Sequence, residues 1–477
     1  MRQLSLMLFL VAQSLCFGQS TSMTILFEPL ESSNDMMWVT QRFELVKDYT
    51  KTKTTIAAGL ETQSAVVGNY GGFYAFGFTS GVYQHIRPGL FAHVGASIAS
   101  GGGAGAPDGD GLMYRGFAGM SVKSKIGVVD LAYNHIDFPS GAITSNHISI
   151  GYTHIFPYLI DDSHHNYYYP TYFELITNLW FLGPEDASRN SEPVQSAYAG
   201  VRVGQYLNSK HTVGGELQLG AGALGNIDGY TNYSMGLRFN TPSQRLFFRT
   251  HLGSGGGGGV YTGGGISTMV SAGAQFGGHQ FSVGQWTALS DKASIPFVSY
   301  SRHLDFKSSL GFHYRGGKHS NEDSREVALK IIAGAGQQRS SGMDRNGISY
   351  NSMSGIAMGI GIEAWSNDQY SLDTYGHTFW AASGGYGAYA EGLFSAVFLK
   401  NNKNFRFGLD LTSGIAGGGG IDVGSGLMIA PGVQVERKIG SLSNLKMNLR
   451  QKYFLGGTYS PAYFGVELIQ SLPVQLW

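Results

Sequence analysis

Phe405-Arg406-Phe407-Gly408-Leu409-Asp410-Leu411-Thr412 alternates a large apolar residue with a charged, small or hydroxyl-bearing one. Successive side chains of an extended chain point to opposite faces, so the stretch predicts a strand with one apolar and one polar face. Leu445, Met447 and Leu449 alternate with Lys446, Asn448 and Arg450 in the same way. Val213, Gly215, Leu217, Leu219 and Ala221 oppose Gly214, Glu216, Gln218 and Gly220, and Val270, Ala272, Ala274 and Phe276 oppose Ser271, Gly273 and Gln275. The pattern continues to the end of the chain.

Alternation by itself fits a soluble sandwich or a barrel. Composition separates them. Only 13% of the 477 residues are charged, against about 25% in an ordinary globular chain. Beyond the first residues, no stretch is long and apolar enough for a membrane helix. A closed antiparallel transmembrane β-barrel satisfies both facts, because its strands show lipid only every second side chain. The expected fold is therefore all-β, one such barrel of roughly 14–18 strands, each about 9–11 residues long. Trp180, Trp286, Trp365 and Trp380 fall near strand ends, where interfacial girdles place aromatic rings. The 32 basic and 32 acidic residues balance, and without a basic tract or zinc-finger spacing nucleic acid is excluded as a partner.

Met1-Arg2-Gln3 followed by an apolar run to Gly18 reads as a secretory signal peptide over residues 1–18. Cys16, the one cysteine, would leave with it, and the mature chain would hold neither disulfide nor thiolate ligand. Residues 19–55 carry several acids and a Lys-Thr stretch, and predict a lead-in, a small plug or an irregular first hairpin. Residues 56–477 are assigned to the barrel.

Seventy-one glycines cluster rather than scatter. Gly101-Gly102-Gly103, Gly255-Gly256-Gly257-Gly258-Gly259 and Gly417-Gly418-Gly419-Gly420 each follow an alternating strand and precede another. Phe91 to Val122, Leu246 to Phe276 and Phe405 to Val435 can be laid over one another as repeated glycine-rich hairpins. A weaker cluster at Ala333-Gly334-Ala335-Gly336 suggests a period of about 80 residues. Glycines in such numbers cost backbone entropy. They predict sharp bends in the wall, close approach of another backbone or carbohydrate, or mobile hairpin tips. None runs into Gly-Lys-Ser/Thr, so no phosphate loop is present.

Candidate chemistry is sparse. Asp161-Asp162-Ser163-His164-His165 could ligate a metal, but side chains adjacent in an extended chain diverge, and an exposed loop is expected. Asp108 and Asp110 lack the calcium-loop spacing and predict a turn, as does Asp137-Phe138-Pro139-Ser140-Gly141. With 14 histidines, pairs such as His147 with Ser149 or His251 with Ser271 assign no enzyme. No catalytic residue, metal or cofactor is expected. Arg115, Arg202, Arg249, Arg406 and Arg450 stand in strand-like segments. In a barrel they would face the lumen or its ends, where they could pair with Glu216, Asp410 or Glu436 and influence ion passage.

The final segment sets Phe464, Val466, Leu468, Leu472, Val474 and Leu476 on one face before Trp477. Gln470 and Pro473 interrupt it, and Trp477 has the opposite parity. With the signal, the amphipathic strands and the aromatics, it resembles the closing strand of Gram-negative outer-membrane β-barrel proteins in general pattern. That resemblance implies the outer membrane as location, its lipid and the outer-membrane assembly machinery as partners, and passive passage or export of a small or extended solute. A non-conducting structural or interaction barrel at the cell surface and a secreted carbohydrate-binding β-protein are the alternatives, with a barrel-wall hydrolase behind them.

Overall fold

The computed structural model describes residues 20–30, 36–49, 53–124, 127–156, 167–187, 194–224, 227, 229–308, 317–318, 325–341, 343–344, 347–440 and 443–476. Among them the strands form antiparallel sheets that close on themselves. The first barrel comprises β1 (Ser20–Pro29), β2 (Met37–Tyr49), β3 (Thr54–Val67), β4 (Tyr74–Arg87), β5 (Leu90–Gly102), β6 (Leu112–Lys123), β7 (Val128–Asp137) and β8 (Thr144–Phe156). It closes where β1 pairs with β8, from Thr21 opposite Phe156 to Phe27 opposite Ile150.

The second comprises β9 (Tyr167–Leu182), β10 (Val194–Tyr206), β11 (Val213–Leu224), β12 (Thr231–Asn240), β13 (Leu246–Gly256), β14 (Ile266–Phe276), β15 (His279–Ala288) and β16 (Ser294–Ser308). It closes where β16 pairs with β9, from Phe297 opposite Trp180 to Ser308 opposite Tyr169. The third comprises β17 (Arg325–Arg339), β18 (Met353–Ser366), β19 (Tyr370–Ser383), β20 (Ala390–Asn402), β21 (Phe405–Gly417), β22 (Leu427–Lys438), β23 (Ser443–Gln451) and β24 (Ala462–Leu476). Here β17 pairs with β24 from Arg325 opposite Leu476 to Arg339 opposite Ala462. The pair Ser308 and Leu476 joins the second and third sheets.

The all-β antiparallel barrel read from the alternation is present, with its strands shared among three eight-stranded closures rather than arranged around one circumference. Residues 20–49, read as a lead-in, plug or irregular hairpin, supply β1 and β2 of the first closure. Glu28 and Glu44 of this segment lie on the inward face. Both are buried, so the charge these two residues contribute belongs to the barrel interior.

The three barrels share one polarity. On β7, Val129, Leu131 and Tyr133 are exposed while Asp130 and Asn134 are buried; on β23, Leu445, Met447 and Leu449 are exposed while Lys446, Asn448 and Arg450 are buried. A water-soluble fold would reverse this order. An apolar outside around a charged inside is the polarity of a membrane-spanning barrel, and the strands are long enough to cross a hydrocarbon layer. The aromatic girdle holds only in part. Trp365 is exposed, but Trp180 and Trp286 are fully buried on inward faces and Trp380 lies in a seam between barrels.

Leu409 on β21 is 69% exposed. Its replacement by Arg is expected to destabilise the folded protein in detergent or bilayer by about 2–4 kcal/mol, the cost of a cation on a lipid-facing strand near mid-membrane. A shift within about 0.5 kcal/mol in a urea titration, as for an ordinary surface site in water, would refute a lipid-facing exterior.

Candidate functional site

Two features carry chemistry: the filled lumens, and the glycine loops where the barrels meet. In the second lumen Glu174 of β9 accepts from Arg238 Nη1 at 2.9 Å, Arg249 Nη2 at 2.5 Å and Arg202 Nη1, and pairs with His303 Nδ1 at 2.8 Å. Glu216 of β11 accepts from Arg249 Nε at 3.1 Å and Tyr172 Oη at 2.8 Å, and pairs with His251 Nε2 at 2.9 Å. In the first lumen Arg115 bridges Glu28 at 2.6 Å and Glu61 at 3.3 Å, and Arg42 Nε donates to Glu61 at 2.6 Å. In the third, Arg450 Nε donates to Asp410 at 2.6 Å, and Arg406 reaches Glu436 at 3.2 Å and Asp373 at 3.0 Å. Lys446 meets Glu467 at 2.7 Å, Lys452 meets Glu391 at 2.5 Å, and Lys330 meets Asp373.

Above each network, at the end of the longer loops, aromatic rings fill the barrel mouth. Trp38 stacks on Phe73 with centroids 5.0 Å apart and meets Phe138 edge-on at 6.3 Å. Trp180 stacks on Tyr198 at 5.3 Å and on Trp286 at 5.7 Å, with Tyr230 edge-on at 5.0 Å. Tyr459 gathers Tyr350 at 4.8 Å, Tyr389 at 5.9 Å and Phe454 at 5.8 Å. An eight-stranded barrel is just wide enough for its own side chains, and here they occupy the bore.

The structure places Arg115, Arg202, Glu216, Arg249, Asp410, Glu436 and Arg450 at 4% exposure or less. Arg406 is partly exposed at its barrel mouth. They divide among three lumens: Arg115 in the first, Arg202, Glu216 and Arg249 in the second, the rest in the third. Sequence reading passed over Glu28, Glu61, Glu174, Asp373, Glu391 and Lys452. Glu174 sits in the aromatic run Tyr167–Leu182, and its signal was inward parity with Tyr172, Ile176 and Trp180, which are all buried.

The repeated hairpins lie at equivalent places, after the fifth strand of each barrel. Gly103, Gly257 and Gly418 have φ of 126°, 86° and 90°; Ala104, Gly258 and Gly419 follow at 55°, 58° and 62°, then Gly105, Gly259 and Gly420 at 70°, 78° and 75°. Three consecutive left-handed residues explain the demand for glycine. Each loop rejoins its own strand in the same way: Gly101 N–H to Gly111 O at 2.9 Å, Gly255 to Gly265 at 2.8 Å, Ala416 to Gly426 at 2.8 Å. The cluster at 333–336 is different. It lies inside β17, so the hairpin recurs once per eight-stranded barrel and not every 80 residues.

These loops also join the barrels. The first barrel's β3–β4 turn enters the second barrel's glycine loop, with Gly71 N–H donating to Gly263 O at 2.7 Å and Ser254 Oγ donating to Ala65 O at 2.8 Å. A Cβ on Gly72 would collide with Gly257 N and Gly256 C. The second barrel's turn brings Gly229 against Gly417 and Gly418 of the third. The third barrel's turn returns to the first: Gly385 N–H donates to Asp110 at 2.7 Å, Ser100 Oγ donates to Ala381 O, and Gly387 abuts Gly111. The junctions run head to tail around a ring. Tyr74, Phe76 and Trp380 lie in the seam, with Phe76 stacked on Trp380 at 4.5 Å.

Asp108 and Asp110 therefore serve loop and junction. Burial pushes the Asp108 carboxyl up to about 6 even though Gly103 N–H donates to it at 2.9 Å. The 137–141 segment is a turn, with Gly141 N–H donating to Phe138 O at 2.9 Å. The Asp161–His165 cluster lies outside the described residues, as does Trp477. Ser121, His93 and Asp130 meet inside the first barrel, but Ser121 gives its proton to Asp130 at 2.7 Å. His93 Nδ1, 3.0 Å away, can then only donate to the hydroxyl, which is the reverse of a general base.

No protein-family model and no curated protein matches the chain. Similar solved structures include the ferric enterobactin receptor PfeA of Pseudomonas aeruginosa, at 8% identity and TM-score 0.30, covering 95% of this chain and 81% of that one. A bacterial polysaccharide outer membrane secretin covers 95% and 98% at 8% identity and TM-score 0.22. OccK5 (OpdH) of Pseudomonas aeruginosa covers 96% and 98% at 8% identity and TM-score 0.23. Superposition at that level carries no argument, and the fold rests on its own strand pairings. Those pairings and the inverted polarity define the class: a membrane-spanning antiparallel β-barrel protein.

Two outcomes are expected. Glu174→Ala removes the carboxylate that three guanidinium groups share, leaving Arg238 without an acid partner, and should cost about 3–5 kcal/mol, read as a lower urea midpoint of the detergent-folded protein; an unchanged midpoint would show that the network is dispensable. Gly72→Ala, strained at a φ of 99° and jammed against the backbone of Gly256 and Gly257 across the junction, should destabilise far more than Gly105→Ala. The latter meets nothing within 4 Å and carries only the left-handed penalty of about 1–2 kcal/mol. Equal effects would remove the packing role assigned to the junction.

Proposed function

We propose that the chain is an outer-membrane protein whose barrels are closed to solutes and which acts as a structural or interaction body in the membrane. The observation that carries this reading is the filling of each lumen by buried ion pairs beneath a ring of aromatic side chains. Passage would require breaking several charge-assisted hydrogen bonds in a water-poor bore and displacing the rings. Solute pores of this architecture use many more strands to enclose an aqueous channel. The closed geometry thus favours the non-conducting reading over passive passage or export. A secreted carbohydrate-binding role has less support, because an apolar exterior of this extent would aggregate in water.

Outer-membrane location is supported by the barrel class and by the signal-like first 18 residues. Insertion would depend on the outer-membrane assembly machinery that handles closed sheets. The short turns, such as Gly277–Gly278, then face the periplasm, and the glycine loops face outward, following the usual asymmetry of such barrels. Linked at those loops, the three barrels form one broad body that presents a continuous loop surface.

Purified full chain in planar bilayers tests this directly. The protein is expected to show heat-modifiable migration, proving folded barrels, together with no current steps above background. Reproducible single-channel steps from the heat-modifiable species would overturn the closed reading.

A further inference from the structure

The outer wall of the second barrel carries a feature that the other functions leave unused. Across β13 to β16 and β9, small residues at Ala272, Ala274 and Thr177 leave a groove of about 790 Å³. Phe281, Val283 and Tyr300 flank it. Its register runs Leu246, Ala274, Phe281, Tyr300, Thr177 in one row, and Ala272, Val283, Val298, Leu179 in the next. One row nearer the short turns, His279 and Arg302 stand on the lipid-facing wall between Phe276 and Leu175. Arg302 pairs with His279 across β15 and β16. Arg302 Nη1 donates to His279 Nε2 at 2.8 Å. His279 Nδ1 therefore carries the proton and donates to Tyr300 Oη at 2.9 Å.

A Cβ on Gly278 would sit 2.8 Å from Arg302 Nη1, so the two-glycine turn makes room for the guanidinium to lie over it. The histidine engages one N–H of a fork that has five, and a phosphate accepts two of them together. Arg245 is exposed in the turn between β12 and β13, and Lys210 is exposed in the turn between β10 and β11. The turns at 207–212, 241–245 and 277–278 contain no acid. An apolar channel running about 13 Å along the strand from a cationic rim matches an acyl chain joined to an anionic headgroup at the membrane interface.

We propose that this groove is a binding site for an anionic glycerophospholipid, with the phosphate on Arg302 and Arg245 and one acyl chain along Ala272 and Ala274. The proposal rests on the membrane reading above but not on closed lumens. Detergent-purified full chain is titrated with dioleoyl phosphatidylglycerol or dioleoyl phosphatidylcholine and examined by native mass spectrometry. Retention of one phosphatidylglycerol, at least about fivefold over phosphatidylcholine, is expected. Arg302→Gln with Arg245→Gln should abolish that preference while heat-modifiable migration persists. Ala272→Phe should fill the groove and lower retention of both lipids with the cations intact. Equal retention of the two lipids by the unmodified chain, or a preference that survives loss of both arginines, overturns the site. If Ala272→Phe keeps full retention, the acyl-chain part fails. Channel activity would overturn only the closed reading and leave this result standing.

Discussion

The rest of the structure depends on ionised side chains sealed inside narrow bores. Glu174 receives three arginines because lipid outside and packed side chains around it leave no water to solvate any of them. In such a site the separate charges are each expensive, and the network is tolerable only when every member is present. That condition ties the strands of a barrel together more strictly than ladder hydrogen bonds alone. β9, β10, β11, β12, β13 and β16 each contribute a charged or histidine side chain to the second network. A slip of one residue in any of them would turn its charge toward hydrocarbon.

A second constraint is steric, and it operates between barrels. Lipid-facing sheets have no hydrophobic reason to associate, since acyl chains are as apolar as leucine. What the chain supplies instead is backbone approach. Gly71 and Gly72 enter the loop that contains Gly257 and Gly263, and the same contact is made by Gly229 at Gly418 and by Gly387 at Gly111. Removing side chains there gains dispersion contact and peptide hydrogen bonds between barrels. The entropic cost of glycine is offset where the loops lock one another.

Much of this is legible in the sequence. FRFGLDLT and LKMNLR already state which side chains face outward, and the three superposable hairpins mark the loops at which the barrels join. Closure was not readable, for a physical reason. Alternation defines faces, but only register between distant strands, such as β9 with β16, decides where a sheet returns to its own edge. The linkers between barrels, 157–166 and 309–324, are rich in acids, histidines and other polar residues, but that composition reads equally as an exposed loop within one barrel and does not expose the return. The tryptophans misled for a related reason. A ring near a strand end suits either an interface or a mouth, and Trp180 and Trp286 turn inward because they share parity with Glu174 and Gln280.

Three small closures rather than one wide barrel follow from the same charges. In a single barrel made of all these strands, Arg202, Arg238 and Arg249 would line a watery channel and could stay solvated without partners. Their pairing would then be weak and their positions loosely constrained. Each eight-stranded circle removes that option, so acids must be supplied at matching heights within the same circle. The second barrel does this with Glu174 on its first strand and Glu216 on its third. The third barrel meets the same demand with Asp373, Asp410, Glu436 and Glu467 facing Lys330, Arg450, Arg406 and Lys446. In the second circle three arginines share two carboxylates, so what the narrow bore requires is a partner for each charge within the same circle and not an equal count.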